Sequence, residues 1–396
     1  MQQQGLAKSK ILVMAVAAGV CVANNYYNQP ILSAIGHSFN APDSQTGIIS
    51  VLTQAGYGLG LFFITPLGDR VDRKKLVLVL QGLLALTAAA MAFATNITSV
   101  FIISLLLGIF SVSAQVLMPM AASLNPHNRG QSASIVFTGI LTGILAGRVF
   151  SGYVSAWLGW RYVYGISAGM IMLIAFVFNY SLPNVQRQFS GNYLQLLQST
   201  ILQFKRFPLL RIAALLGALT FGIFCSFWTT LTFHLSKAPF NYPPDKIGMF
   251  GILAVVGAMV VPYFGKMADK GNLSRLRLRM TLVIIIGAVL LKVLPYALLS
   301  MVLAVVLLDV GVQVAQVTNI AIIYSLDATA HSRINTMYMT CYFIGGAVGT
   351  FIGVQCWKFG GWQTVTSQLI IWGVFAFLIA YTGFKKKRPT TPAINF

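Results

Sequence analysis

Leu67-Gly68-Asp69-Arg70 and Met267-Ala268-Asp269-Lys270 each close a long apolar run, and they stand two hundred residues apart. An acid followed by a cation at the edge of an apolar segment, repeated at half-chain separation, indicates duplicated helical bundles rather than one long core. Reading outward from the first copy, apolar segments fall at residues 11–34, 46–67, 75–95, 99–123, 131–156 and 161–181. From the second copy they fall at 209–235, 246–267, 279–297, 300–325, 336–356 and 364–384. The expectation is an all-α membrane protein with 12 transmembrane helices in two pseudo-symmetric six-helix bundles. Residues 1–181 form the first bundle, 182–208 a connector, and 209–396 the second bundle with a short basic tail. The repeat extends further: Gly143, Gly147 and Trp160 match Gly345, Gly349 and Trp362, and Arg129 matches Arg333. In the connector, Leu194, Leu197, Ile201 and Phe204 at helical spacing predict a short amphipathic helix at the membrane surface.

Composition supports the bilayer. Of 396 residues 57% are hydrophobic and 9% charged, with a mean hydropathy of +0.77, more apolar surface than a soluble globule of this size can bury. Runs of about twenty residues match helices crossing a hydrocarbon layer of roughly 30 Å and are too long for barrel strands. The formal charge of +20 is explained by topology. Lys8, Lys10, Arg70, Arg73, Lys74, Lys75, Arg129, Arg187, Lys205, Arg206 and Arg211 fall at alternate loops, followed on the same side by Lys266, Lys270, Arg275, Arg277, Arg279, Arg333 and the tail. The opposite side has Arg161, Lys237, Lys246, Lys292 and Lys358. The positive-inside rule then makes both termini cytoplasmic in a multi-pass protein of the inner membrane, with anionic lipids as neighbours. Nucleic acid is excluded as a partner because no basic segment carries stacking aromatics. The first apolar run lacks a cleavage pattern and reads as a retained span. Cys21, Cys225, Cys341 and Cys356 all fall inside predicted spans, which argues against disulfides and metal clusters. No cofactor motif is present, and a monomer suffices for two bundles.

Residues 65–76, TPLGDRVDRKKL, resemble the signature G-x-L-x-D-R-x-G-R-K between spans two and three of the major facilitator superfamily, keeping Leu67, Asp69, Arg70, Arg73 and Lys74. Thr65 and Asp72 replace its two glycines. Span five, with Gly143, Gly147, Arg148 and Gly152, resembles the antiporter signature G-x-x-x-G-P-x-x-G-G of that superfamily's drug/proton antiporter branch, with Arg148 in place of proline and Ser151 in place of a glycine. Glycines four apart allow a close helix approach, as at an interface between halves. The resemblance implies a secondary transporter working by alternating access, and a cytoplasmic gate at Asp69, Arg70, Arg73, Arg129 and Asp269. Physically, a carboxylate at a membrane edge can face a helix N-terminus or an arginine when the bundles close there.

The chain has no glutamate, and of its seven aspartates only Asp309 sits well inside a span. Such a group costs about 2.5–3.5 kcal/mol to insert and marks a pathway or a partner. Gln313 and Gln316 share its face. Arg148 is the one cation deep in a span. Three readings stay open: Asp309 exchanges a proton while Arg148 or substrate competes for it, the two form a fixed pair, or Asp309 is a solvated end residue. By the resemblance, spans one, four, seven and ten line the cavity, which nominates Asn24, Asn25, Tyr27, Asn28, Ser111, Gln115, Phe224, Trp228 and Thr232 with Gln313 and Gln316 as substrate contacts. His234 is a relay or an interfacial residue. The function expected is proton-coupled efflux of a small organic compound or drug. The rival is import or facilitation of a small anionic metabolite with Arg148 matching its charge. No nucleophile elbow, metal spacing or phosphate loop suggests an enzyme, and no filter loop a channel.

Overall fold

The computed structural model describes residues 8–125, 128–183, 192–253, 273–327 and 330–385. Among them it holds helices and no strand. In order these are α1 (Lys8–Ala23), α2 (Asn28–Ser38), α3 (Asp43–Phe63), α4 (Leu67–Arg70), α5 (Arg73–Ala92), α6 (Ile97–Ser111), α7 (Ser113–Leu124), α8 (Arg129–Leu158), α9 (Trp160–Ser181), α10 (Tyr193–Arg206) and α11 (Pro208–Ser236). They are followed by α12 (Leu273–Val293), α13 (Leu298–Tyr324) and α14 (His331–Lys385). Residues 244–253 are also helical. Nine helical runs among the described residues are long and apolar enough to cross a membrane. Their outer faces carry side chains such as Leu86, Leu173 and Phe176, which lipid tails cover without cost, while helical geometry satisfies the backbone internally.

Local chemistry explains where the observed helices depart from the expected spans. The span expected at 11–34 is broken between α1 and α2, because Pro30 lacks an N–H and its ring would meet the carbonyl of Tyr26. Tight turns, Asn25 N–H to the Val22 carbonyl and Gln29 N–H to that of Tyr26, carry the chain across. The span expected at 99–123 is likewise two helices meeting at Val112, with Pro119 inside the second. The spans expected at 336–356 and 364–384 are two helices, both carried under the label α14, that meet at non-helical backbone at Gly360 and Gly361. Gly361 has φ 60° and ψ −151°, a region that only glycine occupies readily. Gly159, with φ 100° and ψ 157°, makes the matching turn between α8 and α9. A positive-φ glycine followed by tryptophan, Gly159-Trp160 and Gly361-Trp362, is thus the repeat's corner in both halves.

Glycines also set the helix contacts. A Cβ on Gly143 would lie 2.2 Å from the Gly19 carbonyl oxygen, and one on Gly349 would lie 2.3 Å from that of Gly222. α8 therefore packs on α1, and α14 on α11, in symmetric fashion. This corrects the assignment of Gly143 to the seam between halves: it closes a contact within the first half. Gly152, further along the same helix, does face the second half, 2.5 Å from Pro244 O to its built Cβ.

α10 opens with a capping box between Asn192 and Gln195. Its Leu196, Thr200 and Gln203 are buried against the protein. Leu194 and Ile201, expected on one stripe with Leu197 and Phe204, are exposed. The helix is strapped to both halves, by Tyr193 Oη donating to the Phe63 carbonyl at 2.5 Å and by Arg206 paired with Asp327 at 3.1 Å.

Candidate functional site

The two halves meet along the length of the bundle, and three places on the seam carry polar chemistry. At the end that carries α10, the connector end, Arg73 anchors the loop after α3. Its Nη2 donates to Asp69 Oδ1 at 2.8 Å and its Nε to the Gly68 carbonyl at 2.8 Å. Asp72, which replaces a glycine of the signature, caps α5 by accepting from Lys74 N–H at 2.8 Å, as N-cap aspartates do. Asp69 Oδ2 accepts from Ser332 Oγ at 3.4 Å, so a carboxylate of the first half sits at the N-terminus of α14 in the second, where the helix dipole favours it. Around them lies a cleft of about 530 Å³ that Arg129 and Arg333 also line. Of the residues expected at a gate, Asp69, Arg73 and Arg129 come together here. Arg70 is exposed and lies outside the cluster, and Asp269, with the rest of the second copy, lies outside the described residues.

At the far end several contacts join the halves. Lys237 pairs with Asp43 at 2.5 Å, and Trp357 Nε1 donates to the same carboxylate oxygen at 2.9 Å. Ser33 Oγ meets Ser236 Oγ at 3.0 Å, and Thr232 Oγ1 donates to the Gln29 carbonyl at 2.7 Å. No sequence signal singles out Asp43 or Lys237, since an acid and a base in loops of different halves look like ordinary surface charge. Asp43→Ala strips both partners at once. The pair is partly exposed, with 58% and 23% of the Lys237 and Asp43 side chains open to solvent, so its loss costs about 1 kcal/mol, roughly five-fold in an opening equilibrium. Maleimide labelling of Ser33→Cys should rise by that factor over the same variant with Asp43 intact; an unchanged rate would show that the pair does not hold this end shut.

Between the two ends lies a cavity of about 100 Å³. Since one water needs roughly 10–15 Å³ by this measure, the space holds several waters or a small molecule of one or two rings. Its walls come from both halves: Tyr26 in the α1–α2 break, Tyr57 of α3, Gln115 of α7, Arg148 of α8, Phe221 and Phe224 of α11, Asp309, Gln313 and Gln316 of α13, and Tyr342 and Phe343 of α14. Phe221 stacks on Tyr342 at 4.1 Å, and Tyr57 meets Phe343 across the seam at 4.3 Å. Gln115 Nε2 donates to Tyr57 Oη at 3.1 Å, and Tyr342 Oη donates to Gln316 Oε1 at 3.3 Å. Aliphatic side chains such as Val22, Ile140, Ile144, Leu145 and Val312 complete the wall, so the chamber is apolar, part aromatic and part aliphatic, with a few neutral amides and one charge of each sign.

Those two charges are handled in an unusual way. Arg148 and Asp309 are 1% and 0% exposed yet make no ion pair. Trp228 contacts both. The guanidinium carbon of Arg148 lies 3.8 Å from the centre of the Trp228 ring, with Tyr26 and Phe224 at 5.4 and 5.5 Å, an aromatic cage that compensates a buried cation. Arg148 Nε donates to Gln29 Oε1 at 2.8 Å. Trp228 Nε1 in turn donates to Asp309 Oδ1 at 3.3 Å. Gln29 and Arg148 belong to the first half, Trp228 and Asp309 to the second, so the chain of contacts crosses the seam. Arg148 Nη2 and Asp309 Oδ2 have no hydrogen-bond partner among the described residues.

Several of the expected cavity residues lie elsewhere. Asn24 accepts from Ser167 Oγ, Asn25 donates to Gln54, and Asn28 accepts from Ser50 Oγ, all inside the first half. Tyr27 packs on Phe150 and Tyr164. Ser111 turns back onto its own helix at the Leu107 carbonyl, and Thr232 belongs to the far-end seam. Gln115, Phe224, Gln313 and Gln316 do line the cavity, and Trp228 stands behind it, touching both charges. His234 is stacked on Trp362 at 4.2 Å with Nε2 hydrogen-bonded to the Pro295 carbonyl at 2.7 Å, away from the chamber. Tyr26, Tyr57, Tyr342 and Phe343 are wall residues beyond the expected set. The last three lie in spans two and eleven, whose inward faces only the docking of the halves reveals.

Residues 14–350 match the family model described as Major Facilitator Superfamily. An "Uncharacterized transporter YgaY" of Escherichia coli O157:H7 is 34% identical over 387 residues, covering 96% of this chain and 97% of that one. Among solved structures, a bacterial homolog of the human lysosomal transporter Spinster, in an inward-facing and occupied conformation, matches with a TM-score of 0.76 at 13% identity over 96% of both chains. A mutant form of the nucleoside transporter NupG matches with a TM-score of 0.70 at 13% identity over 96% of this chain and 99% of that one. These two show the fold.

Proposed function

Given that the chain belongs to the Major Facilitator Superfamily, and so is a membrane transporter and not an enzyme, we propose that it exports a small organic solute in exchange for protons, with Asp309 as the proton-carrying group. The observation that carries this reading is the relay Gln29–Arg148–Trp228–Asp309 across the seam beside the cavity. A transporter couples two fluxes when one group binds either proton or substrate and its state biases the rocking of the halves. Asp309 meets the first condition as a carboxylate that lines the cavity and has one buried oxygen without a partner among the described residues. It meets the second through Trp228, whose ring face holds the cation of the opposite half.

The connector end is taken as cytoplasmic from the distribution of basic residues. On that orientation Asp43, Lys237 and Trp357 join the halves on the outer side and Asp69 and Ser332 on the cytoplasmic side, with a cleft of about 600 Å³ at the first and about 530 Å³ at the second. The glycine pattern of α8, similar to the antiporter signature, favours export. Arg148 as a lone receptor for an anion fits less well, because Asp309 faces the same chamber and would repel such a cargo.

The test is a panel of solutes in proteoliposomes with an imposed pH gradient and a pH-sensitive dye. Solute-dependent proton release is the expected result; solute flux that ignores the gradient would overturn the coupling. Within that assay Trp228→Phe retains a ring under Arg148 but removes the N–H that aims Asp309. A charge-assisted bond as long as 3.3 Å contributes about 1 kcal/mol. The expected result is a roughly five-fold slower proton-driven flux with solute affinity within about two-fold of the parent; equal flux would remove the indole N–H from the mechanism.

A further inference from the structure

The chamber is lined by two fully buried groups of opposite charge, each with one atom hydrogen-bonded and another buried without a partner among the described residues. Arg148 spends Nε on Gln29 and leaves the donor Nη2 open; Asp309 spends Oδ1 on Trp228 and leaves the acceptor Oδ2 open. In most proteins two such groups in one cavity close on each other. Here Trp228 contacts both, its ring face 3.8 Å from the guanidinium and its Nε1 on Asp309 Oδ1, no salt bridge joins the two, and both residues line the cavity.

We propose that the substrates are small, planar, net-neutral molecules bearing an acceptor at one end and a donor at the other, the acceptor taking Arg148 Nη2 and the donor giving to Asp309 Oδ2. This deepens the transport reading above and rests on it for the word substrate. A cation would satisfy Asp309 and leave Arg148 with an unmatched donor and a like charge nearby. An anion would do the reverse. Leaving a buried polar group unpaired is what makes a site reject the near-miss ligand far more strongly than a missing methylene does. A molecule with both ends meets both groups, whether it is a zwitterion or an uncharged lactam or amide. The stacked rings Phe221 and Tyr342 at 4.1 Å, with Tyr57 and Phe343 at 4.3 Å, form flat walls for a conjugated or phenyl body. The chamber's size limits that body to about one or two rings. Such a donor would also displace a proton from Asp309, which ties recognition to exchange.

The experiment is equilibrium calorimetry on the full chain in lipid nanodiscs at one pH, with no gradient. The probes are phenylalanine as the zwitterion, 2-quinolone as the uncharged lactam, 2-phenylethylamine as the cation and 3-phenylpropanoate as the anion. Phenylalanine or 2-quinolone should bind at least about ten-fold more tightly than both singly charged probes, and which of the two leads tells whether charge or only hydrogen-bond sense is read. Arg148→Gln, if it elutes as a monodisperse peak, should erase the advantage over the amine. The ranking on the parent protein stands without that variant. A charged probe that matches both bipolar ones, or a failure of all four to bind, overturns the inference. Because no proton gradient is present, the expected ranking in a protein that moves no protons would leave this inference standing and overturn only the coupling.

Discussion

Asp309→Asn is expected to abolish proton-driven transport while the protein still folds and still exchanges solute for solute. The substitution is nearly isosteric, and the amide oxygen can still accept from Trp228 Nε1 in place of Oδ1. What is lost is the ability to take up and release a proton. Flux under a pH gradient should fall by at least about ten-fold, to the level of liposomes without a gradient; solute affinity should fall as well, because an amide NH2 takes the place of Oδ2, so counterflow is compared at saturating solute on both sides, where it should stay within about three-fold of the parent. A transport cycle needs the exchanging group to be neutral at one step and charged at another, and asparagine is permanently neutral. If Asp309 served only as a structural partner of Arg148, the variant would instead lose thermal stability, since removing one member of a buried pair typically costs about 3–5 kcal/mol, and the remaining folded protein would couple normally. The absence of an ion pair between the two is the reason to expect the first outcome. Undiminished acidification by the variant would sink the assignment.

The second large effect concerns folding. Gly143→Val should leave little monodisperse protein, because its Cβ would sit 2.2 Å from the Gly19 carbonyl oxygen with the Gly19 Cα and carbonyl carbon at 2.5 and 2.6 Å. All three are backbone atoms that no rotamer change can move aside. α1 and α8 would have to separate, and α1 carries the chain into the break that places Tyr26 and Gln29. Overpacking commonly costs about 1–3 kcal/mol, and a clash with three backbone atoms of the neighbouring helix belongs at or above that range. Gly349→Val, whose Cβ would lie 2.3 Å from Gly222 O, should behave alike, since it is the same contact in the other half. Gly82→Val is the control: nothing lies within 4 Å of its built Cβ. Size-exclusion profiles and melting curves of the three in detergent should separate the pair from the control by at least several degrees. A Gly143→Val protein as stable as the parent would show that the helices have room to part.

The candidate site is legible in the sequence only where a residue type is unusual for its depth. Asp309 and Arg148 are the acid and the base that stand deep in expected spans, and the i+4 and i+7 spacing of Gln313 and Gln316 puts one face of α13 toward the path; all four line the chamber. The polar tract of the first span looks like a unit in the sequence, yet its members part company. Tyr26 lines the cavity while Tyr27 packs among Phe150 and Tyr164, because successive helical residues differ by about 100° and the break before Pro30 resets the phase. In α11 every residue from Thr220 through Leu235 is buried, so periodicity has no solvent or lipid face from which to infer the cavity side. Trp228 illustrates the same gap: its position in the span is plain, but its contact with two charges depends on helices of both halves.

The amino-acid sequence by itself determined the medium, the helices and the duplication. Apolar runs long enough to cross a bilayer must be helical, because unsatisfied backbone cannot lie in hydrocarbon, and a loop motif repeated at half-length records two copies of one bundle. Only the tertiary structure decided that Arg148 and Asp309 stay unpaired, that Asp43 joins Lys237 and Trp357 at the far end, and that Asp69 reaches Ser332 at the other. Each of these joins or separates residues of different halves, far apart in the chain. Local pattern can say that a side chain is out of place in lipid, but which partner resolves it depends on how whole helices rotate and dock.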